Sequence, residues 1–76
     1  VIALRLFERA LEKNPESNAA RVGIARVLTR RVAEFRSANR LDDLARVEKM
    51  LTEALNSNPN SSSARYFMGI LRKQQG

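Results

Sequence analysis

Seventy-six residues without a cysteine or a histidine exclude a disulfide framework, a thiolate metal site and imidazole general-base chemistry. The chain is 43% hydrophobic and 29% charged, with a formal net charge of +6, the make-up of a globular chain open to anionic partners. Apolar runs reach only a few residues, too short to cross a bilayer, and no signal-peptide pattern opens the sequence.

The first helix is expected from about Ile2 to Lys13, with Ala3, Phe7, Ala10 and Leu11 on one stripe. Asn14 tolerates a left-handed backbone and suits a helix end. Pro15 cannot continue the helix, and Ser17 offers a hydroxyl to cap the next one. The second helix is expected from about Asn18 to Ser37. Ile24, Ala25, Leu28, Val32 and Phe35 share its apolar face. A short connection, Ala38–Leu41, requires the second and third helices to pack antiparallel.

The third helix is expected to start at Asp42 as N-cap, with Asp43 in the first turn. Leu44, Val47, Leu51, Ala54 and Leu55 form its stripe. Asn58, Pro59 and Ser61 then repeat the earlier stop, turn and cap. The fourth helix runs from about Ser62 to Gln75, with Met68, Gly69 and Leu71 facing in. The segment ALEKNPESNAAR (Ala10–Arg21) matches ALNSNPNSSSAR (Ala54–Arg65), an internal repeat, and a repeat is the first thing to settle in any fold assignment.

These residues resemble the tetratricopeptide repeat family, which builds each 34-residue unit from two antiparallel helices, A and B. Its helix B carries a small residue, a large apolar one, Ala-Leu and a closing Pro. Ala3, Phe7, Ala10, Leu11 and Pro15 follow that series, and Val47, Leu51, Ala54, Leu55 and Pro59 follow it again. Ile24–Ala25 and Met68–Gly69 fit the apolar-then-small pair of helix A, and Gly76 falls where the family often places glycine.

The chain departs from the pattern at Arg21 and Arg65, and at Leu28 and Arg72, where the family has aromatics. Its repeat offset also exceeds the family period, which implies that both helices of the central pair are lengthened by about five residues, roughly 7–8 Å. The run LARVEKMLTEAL (Leu44–Leu55) is also similar to repeat regions of bacterial adenylate-cyclase-type signalling proteins. The implied fold is an all-α, antiparallel helix-pair repeat of four helices. Residues 1–15 are helix B of one unit, 16–59 a complete unit with a lengthened hairpin, and 60–76 helix A of the next.

A chain that starts inside a helical pattern, at a residue other than Met, reads as a piece of a longer array. Val1, Leu4, Met68 and Leu71 are then expected to expose apolar surface and favour self-association.

The resemblance implies a protein–protein interaction scaffold, bacterial and cytoplasmic, with a regulatory or signalling context and no cofactor or enzymatic activity. Its groove corresponds to Val22, Arg26, Thr29, Arg30, Tyr66, Ile70 and Lys73, with Ala19, Ser63, Phe67 and Ala33 beside them. Apolar contact with flanking cations fits an acidic peptide or helix. Some family members grip a terminal carboxylate with Lys and Asn. Those places hold Val22, Gly23, Arg26, Tyr66 and Ile70, so that partner class is not expected.

The alternative is a basic domain for nucleic acid or an anionic surface, drawing on Arg21, Arg26, Arg30, Arg31, Arg36, Arg40 and Arg46. Aromatics for base stacking are not interleaved with these arginines, and Glu34, Glu48 and Glu53 stand ready to pair with them. Glu8 with Glu12, and Asp42 with Asp43, have no third ligand and read as solvated faces and a helix start.

Overall fold

The computed structural model describes residues 2–76. Four helices account for the regular structure: α1 (Ile2–Lys13), α2 (Asn18–Ala33), α3 (Arg40–Ser57) and α4 (Ser62–Gln75). The fold is all-α, with no strand among the described residues.

Matching polar geometry at two corners explains why these segments stop and restart where they do. Ser17 and Ser61 are extended N-caps whose hydroxyls accept the Ala20 and Ala64 amides, each at 3.2 Å. The Asn14 amide donates to the Ala10 carbonyl at 2.9 Å, and the Asn58 amide to the Ala54 carbonyl at 2.8 Å. The Asn14 and Asn58 side chains accept the Glu16 and Asn60 amides, each at 3.2 Å.

Neither asparagine takes the expected left-handed backbone. Asn58 is extended, at φ −143°, and Phe35 is the only non-glycine residue with positive φ among those described. A residue before proline is driven to extended backbone, so each asparagine serves through its side chain, as an Asx turn.

Cross-helix contacts fix the directions. Arg21 at the start of α2 meets Glu53 at the end of α3, at 3.7 Å, and Arg31 near the end of α2 meets Asp43 near the start of α3, at 4.0 Å. These helices are therefore antiparallel. Phe7 sits on Gly23, and the Gln75 amide reaches the Glu48 carboxylate at 2.9 Å. The Gln74 amide donates to the Thr29 carbonyl at 3.3 Å, which makes α4 parallel to α2. The chain thus zigzags between an α1/α3 side and an α2/α4 side.

The core runs through the zigzag: Leu4, Ile24, Ala25, Leu28, Val32, Leu44, Val47, Met50, Leu51, Ala54, Ala64 and Leu71. Ala3 and Ala10 are exposed, contrary to the expected α1 stripe, while Leu4 turns inward. Turning Leu4 in removes more apolar surface from water than turning in an alanine. Helix α1 packs its backbone on α2 and reaches α3 only through the Arg46–Glu8 pair, whereas α3 packs on both α2 and α4. Ala54 is consequently fully buried although its repeat counterpart Ala10 is not.

Gly69 meets no neighbour within 4 Å and does not face in. Leu4 and Leu71 are buried and supply none of the exposed apolar surface expected of them, and Met68, half-buried, supplies only part. Val1, named with them, lies outside the described residues.

The α2–α3 corner differs most from expectation. Helix α2 stops at Ala33, not near Ser37, and Phe35 is 96% exposed instead of extending the core stripe. The Arg36 amide bonds the Arg31 carbonyl at 2.9 Å and the Phe35 amide bonds the Val32 carbonyl at 3.1 Å. With Phe35 at φ 57°, this is a Schellman stop. Satisfying the last α2 carbonyls turns the chain before Phe35 can continue the stripe. Asn39, not Asp42, caps α3, accepting the Asp42 amide at 3.2 Å. Asp43 accepts from the Ser37 hydroxyl at 2.6 Å and so ties the corner to α3.

Candidate protein-binding face

Because α2 and α4 are parallel and in contact through Thr29 and Gln74, residues one repeat offset apart lie close to level. Val22 and Tyr66, and Arg26 and Ile70, hold equivalent positions on the two helices. Each helix turns one stripe to the core and the opposite stripe outward. On α2 the outward stripe is Ala19, Arg26, Arg30 and Ala33, with Val22 half-buried at its edge. On α4 it is Ser63, Tyr66 and Lys73, with Ile70 half-buried.

Tyr66 is 65% exposed and is braced edge-to-face by Phe67, at 5.2 Å between centroids and 78° between planes. Phe67 itself packs against the core, so it anchors the tyrosine and does not line the face. An offset edge-to-face pair is the favoured aromatic geometry.

Thr29 does not belong to this surface. It is 5% exposed, beneath the Gln74 amide. Its hydroxyl and the side-chain amide oxygen of Gln74 are both buried without a partner among the described residues. Its position one residue before Arg30 rotates it by about 100° around the helix, enough to carry it into the α2–α4 seam.

The distribution of charge is the strongest property of the face. Neither α2 nor α4 contains an aspartate or a glutamate. All basic residues on this side, namely Arg21, Arg26, Arg30, Arg31, Arg65, Arg72 and Lys73, therefore stand without an acidic neighbour on their own helix. Acidic residues of the chain lie on α1, on α3 and in the connecting segments. Several arginines are nonetheless neutralised from there: Arg21 by Glu53, Arg31 by Asp43, and Arg30 and Arg36 by Glu34 at 3.3 and 3.5 Å. Arg46 of α3 bonds Glu8 of α1 at 2.5 Å. Glu48 pairs with Gln75, not with an arginine. Arg26 and Lys73 enter none of these ion pairs, and they flank Val22, Tyr66 and Ile70.

This charge segregation was readable from the sequence once the helix bounds were drawn, by noting which helices carry no carboxylate. The chemistry available is recognition, since the face presents apolar contact, an exposed phenol and cations. Among the described residues no three His, Cys, Asp or Glu side chains are grouped to hold a metal ion, and no helix is long and apolar enough to cross a membrane. No family model, no curated protein and no solved structure matches the chain.

Proposed function

We propose that the chain is a protein-binding scaffold of tetratricopeptide-like helix pairs, and that its α2–α4 face receives an acidic peptide or helix from a partner protein. The single observation that carries this reading is the pairing of two parallel helices free of carboxylates around an exposed tyrosine. Val22, Tyr66 and Ile70 supply apolar contact. Arg26 and Lys73 select negative charge along its rim, with Arg30, held by Glu34, beside them; such charge governs association rate and partner choice more than raw affinity. The repeat of Ala10–Arg21 at Ala54–Arg65, with the same caps and turns at both corners, supports the helix-pair reading. The similarity of Leu44–Leu55 to repeat regions of bacterial signalling proteins supports a regulatory, cytoplasmic context.

The test is selection of a random peptide library displayed on phage against the folded chain. Selected peptides should be enriched in Asp and Glu around an apolar anchor. Tyr66→Ala should weaken them at least tenfold, the loss typical of an aromatic hot spot, with thermal stability unchanged because the ring is mostly exposed. Selected peptides without acidic enrichment, or binding indifferent to Tyr66→Ala, would refute the assignment.

A further inference from the structure

The outer edge of α4 is a second surface, apart from the side that carries Tyr66. The internal repeat pairs Arg21 with Arg65, Ile24 with Met68, Ala25 with Gly69 and Leu28 with Arg72. On α2 this stripe is closed. Ile24, Ala25 and Leu28 are fully buried, and the ion pairs of Arg21 with Glu53 and Arg31 with Asp43 fix α3 across both ends of it. On α4 the same stripe is open. Arg65, Gly69 and Arg72 are exposed and Met68 is half-buried.

Gly69 gives the edge its shape. A Cβ at Gly69 would meet no atom within 4 Å, so nothing inside the chain requires glycine there, in contrast to Gly23 beneath Phe7. Glycine inside a helix costs stability relative to alanine. What it provides is bare backbone that a second helix can approach closely. Arg65 and Arg72 stand on either side of it, two turns and about 10 Å apart. Among the described residues neither enters an ion pair. The carboxylates of α3, the helix packed against α4, are turned elsewhere: Asp43 to Arg31 and Ser37, Glu48 to Gln75, and Glu53 to Arg21. Asp42 in its first turn meets no cation within 4 Å.

We propose that the outer edge of α4 receives an acidic amphipathic helix of a partner protein, laid antiparallel on it as α3 lies on α2. A large apolar side chain of that helix covers Gly69 and packs on Met68, and carboxylates two turns apart meet Arg65 and Arg72. The site shares no residue with the α2–α4 face and stands whether or not that face binds.

A second copy of the chain is the poorer occupant. Its α1 is the repeat counterpart of α3, and the exposed Ala3, Leu6 and Ala10 match the buried Val47, Met50 and Ala54. The apolar stripe therefore fits. Charge does not: Arg9 holds the place of Glu53, with Arg5 and Lys13 one turn to either side, while Glu8 and Glu12 line a groove with Arg46. A docked α1 sets Arg9 against Arg65, and like charges across a contact reject the wrong partner.

The probe is a fluorescein-labelled peptide with the sequence of α3, Arg40–Ser57, carrying Arg46→Glu so that it has glutamates two turns apart, and its binding to the full chain is read by fluorescence anisotropy. Binding should fall with added salt. Gly69→Leu has open space to fill and should melt no lower than the parent, yet it should weaken binding by about tenfold or more, because the peptide can no longer approach. Arg65→Gln and Arg72→Gln should each weaken it about fivefold, and Tyr66→Ala should leave it unchanged. A peptide with the sequence of α1, Ile2–Lys13, should not bind. In analytical ultracentrifugation the parent should remain monomeric, while Arg9→Glu, which restores the charge of Glu53 at that register, should associate. The proposal is overturned by any of five results: no binding of the α3-derived peptide, binding unaffected by Gly69→Leu, binding lost on Tyr66→Ala, self-association of the parent equal to that of Arg9→Glu, or duplex DNA bound through Arg65 and Arg72 in preference to the peptide.

Discussion

Replacing Gly23 by alanine should destabilise the chain, although alanine is the better helix former by about 1 kcal/mol. A methyl group at Gly23 would lie 2.5, 2.6 and 2.7 Å from three ring atoms of Phe7. Carbon atoms prefer a separation of about 3.5–4.0 Å, so the ring must retreat by roughly 1 Å and give up its seat between α1 and α2. Overpacking of this kind costs about 1–3 kcal/mol, which exceeds the propensity gain and leaves a net loss of about 1 kcal/mol. In a domain of this size that lowers the melting temperature by about 4–8 °C. The assay is thermal unfolding followed by circular dichroism, in the parent and in a Phe7→Ala background. With the ring removed, Gly23→Ala should become stabilising by about 1 kcal/mol, so the sign of its effect reverses. A stabilising effect of equal size in both backgrounds would refute the packing of Phe7 on Gly23, and with it the placement of α1.

Two further predictions concern the repeat. Ser17→Ala and Ser61→Ala should each cost about 1 kcal/mol in urea unfolding, and by similar amounts, because the two caps have the same geometry; a large inequality would count against equivalent corners. Ala54→Trp should abolish cooperative unfolding, since the position is fully buried and tolerates no added volume. An unchanged melting curve would place Ala54 outside the core.

The first and last helices, the two serine caps and most of the α2 and α3 core stripes were legible in the sequence because short-range physics determines them. Helical spacing put Ile24, Leu28, Leu44, Val47 and Leu51 on inward faces, and α1 and α3 stop just before Pro15 and Pro59 as expected. Long-range neighbours decided the rest. Ala10 and Ala54 share the local pattern Ala-Leu followed three residues later by Asn-Pro, yet only Ala54 lies on a helix that packs on two others. Phe35 is in register with Val32 and Leu28, yet a hydrogen-bonded stop turns the chain before the register can act. Asn39 outcompetes Asp42 as cap because the start of α3 lies three residues sooner than expected, the stop at α2 having freed the intervening chain.

The candidate face was legible only in part. Val22, Arg26, Arg30, Tyr66, Ile70 and Lys73 lie on the outward side of α2 and α4, but Thr29 is claimed by the seam between them. A helical face about 100° wide has edges, and spacing alone does not say on which side of an edge a residue falls. Gln74, which covers Thr29, drew no notice in sequence because a glutamine near a helix end carries no distinctive signal.

The most direct test of the account is a nuclear magnetic resonance titration of the isotopically labelled chain with one of the selected acidic peptides. The account predicts amide shifts concentrated along Val22, Arg26, Arg30, Tyr66, Ile70 and Lys73, with α1 and the outer side of α3 unmoved. Shifts centred on α1, on α3 or on the corner at Phe35 would contradict it.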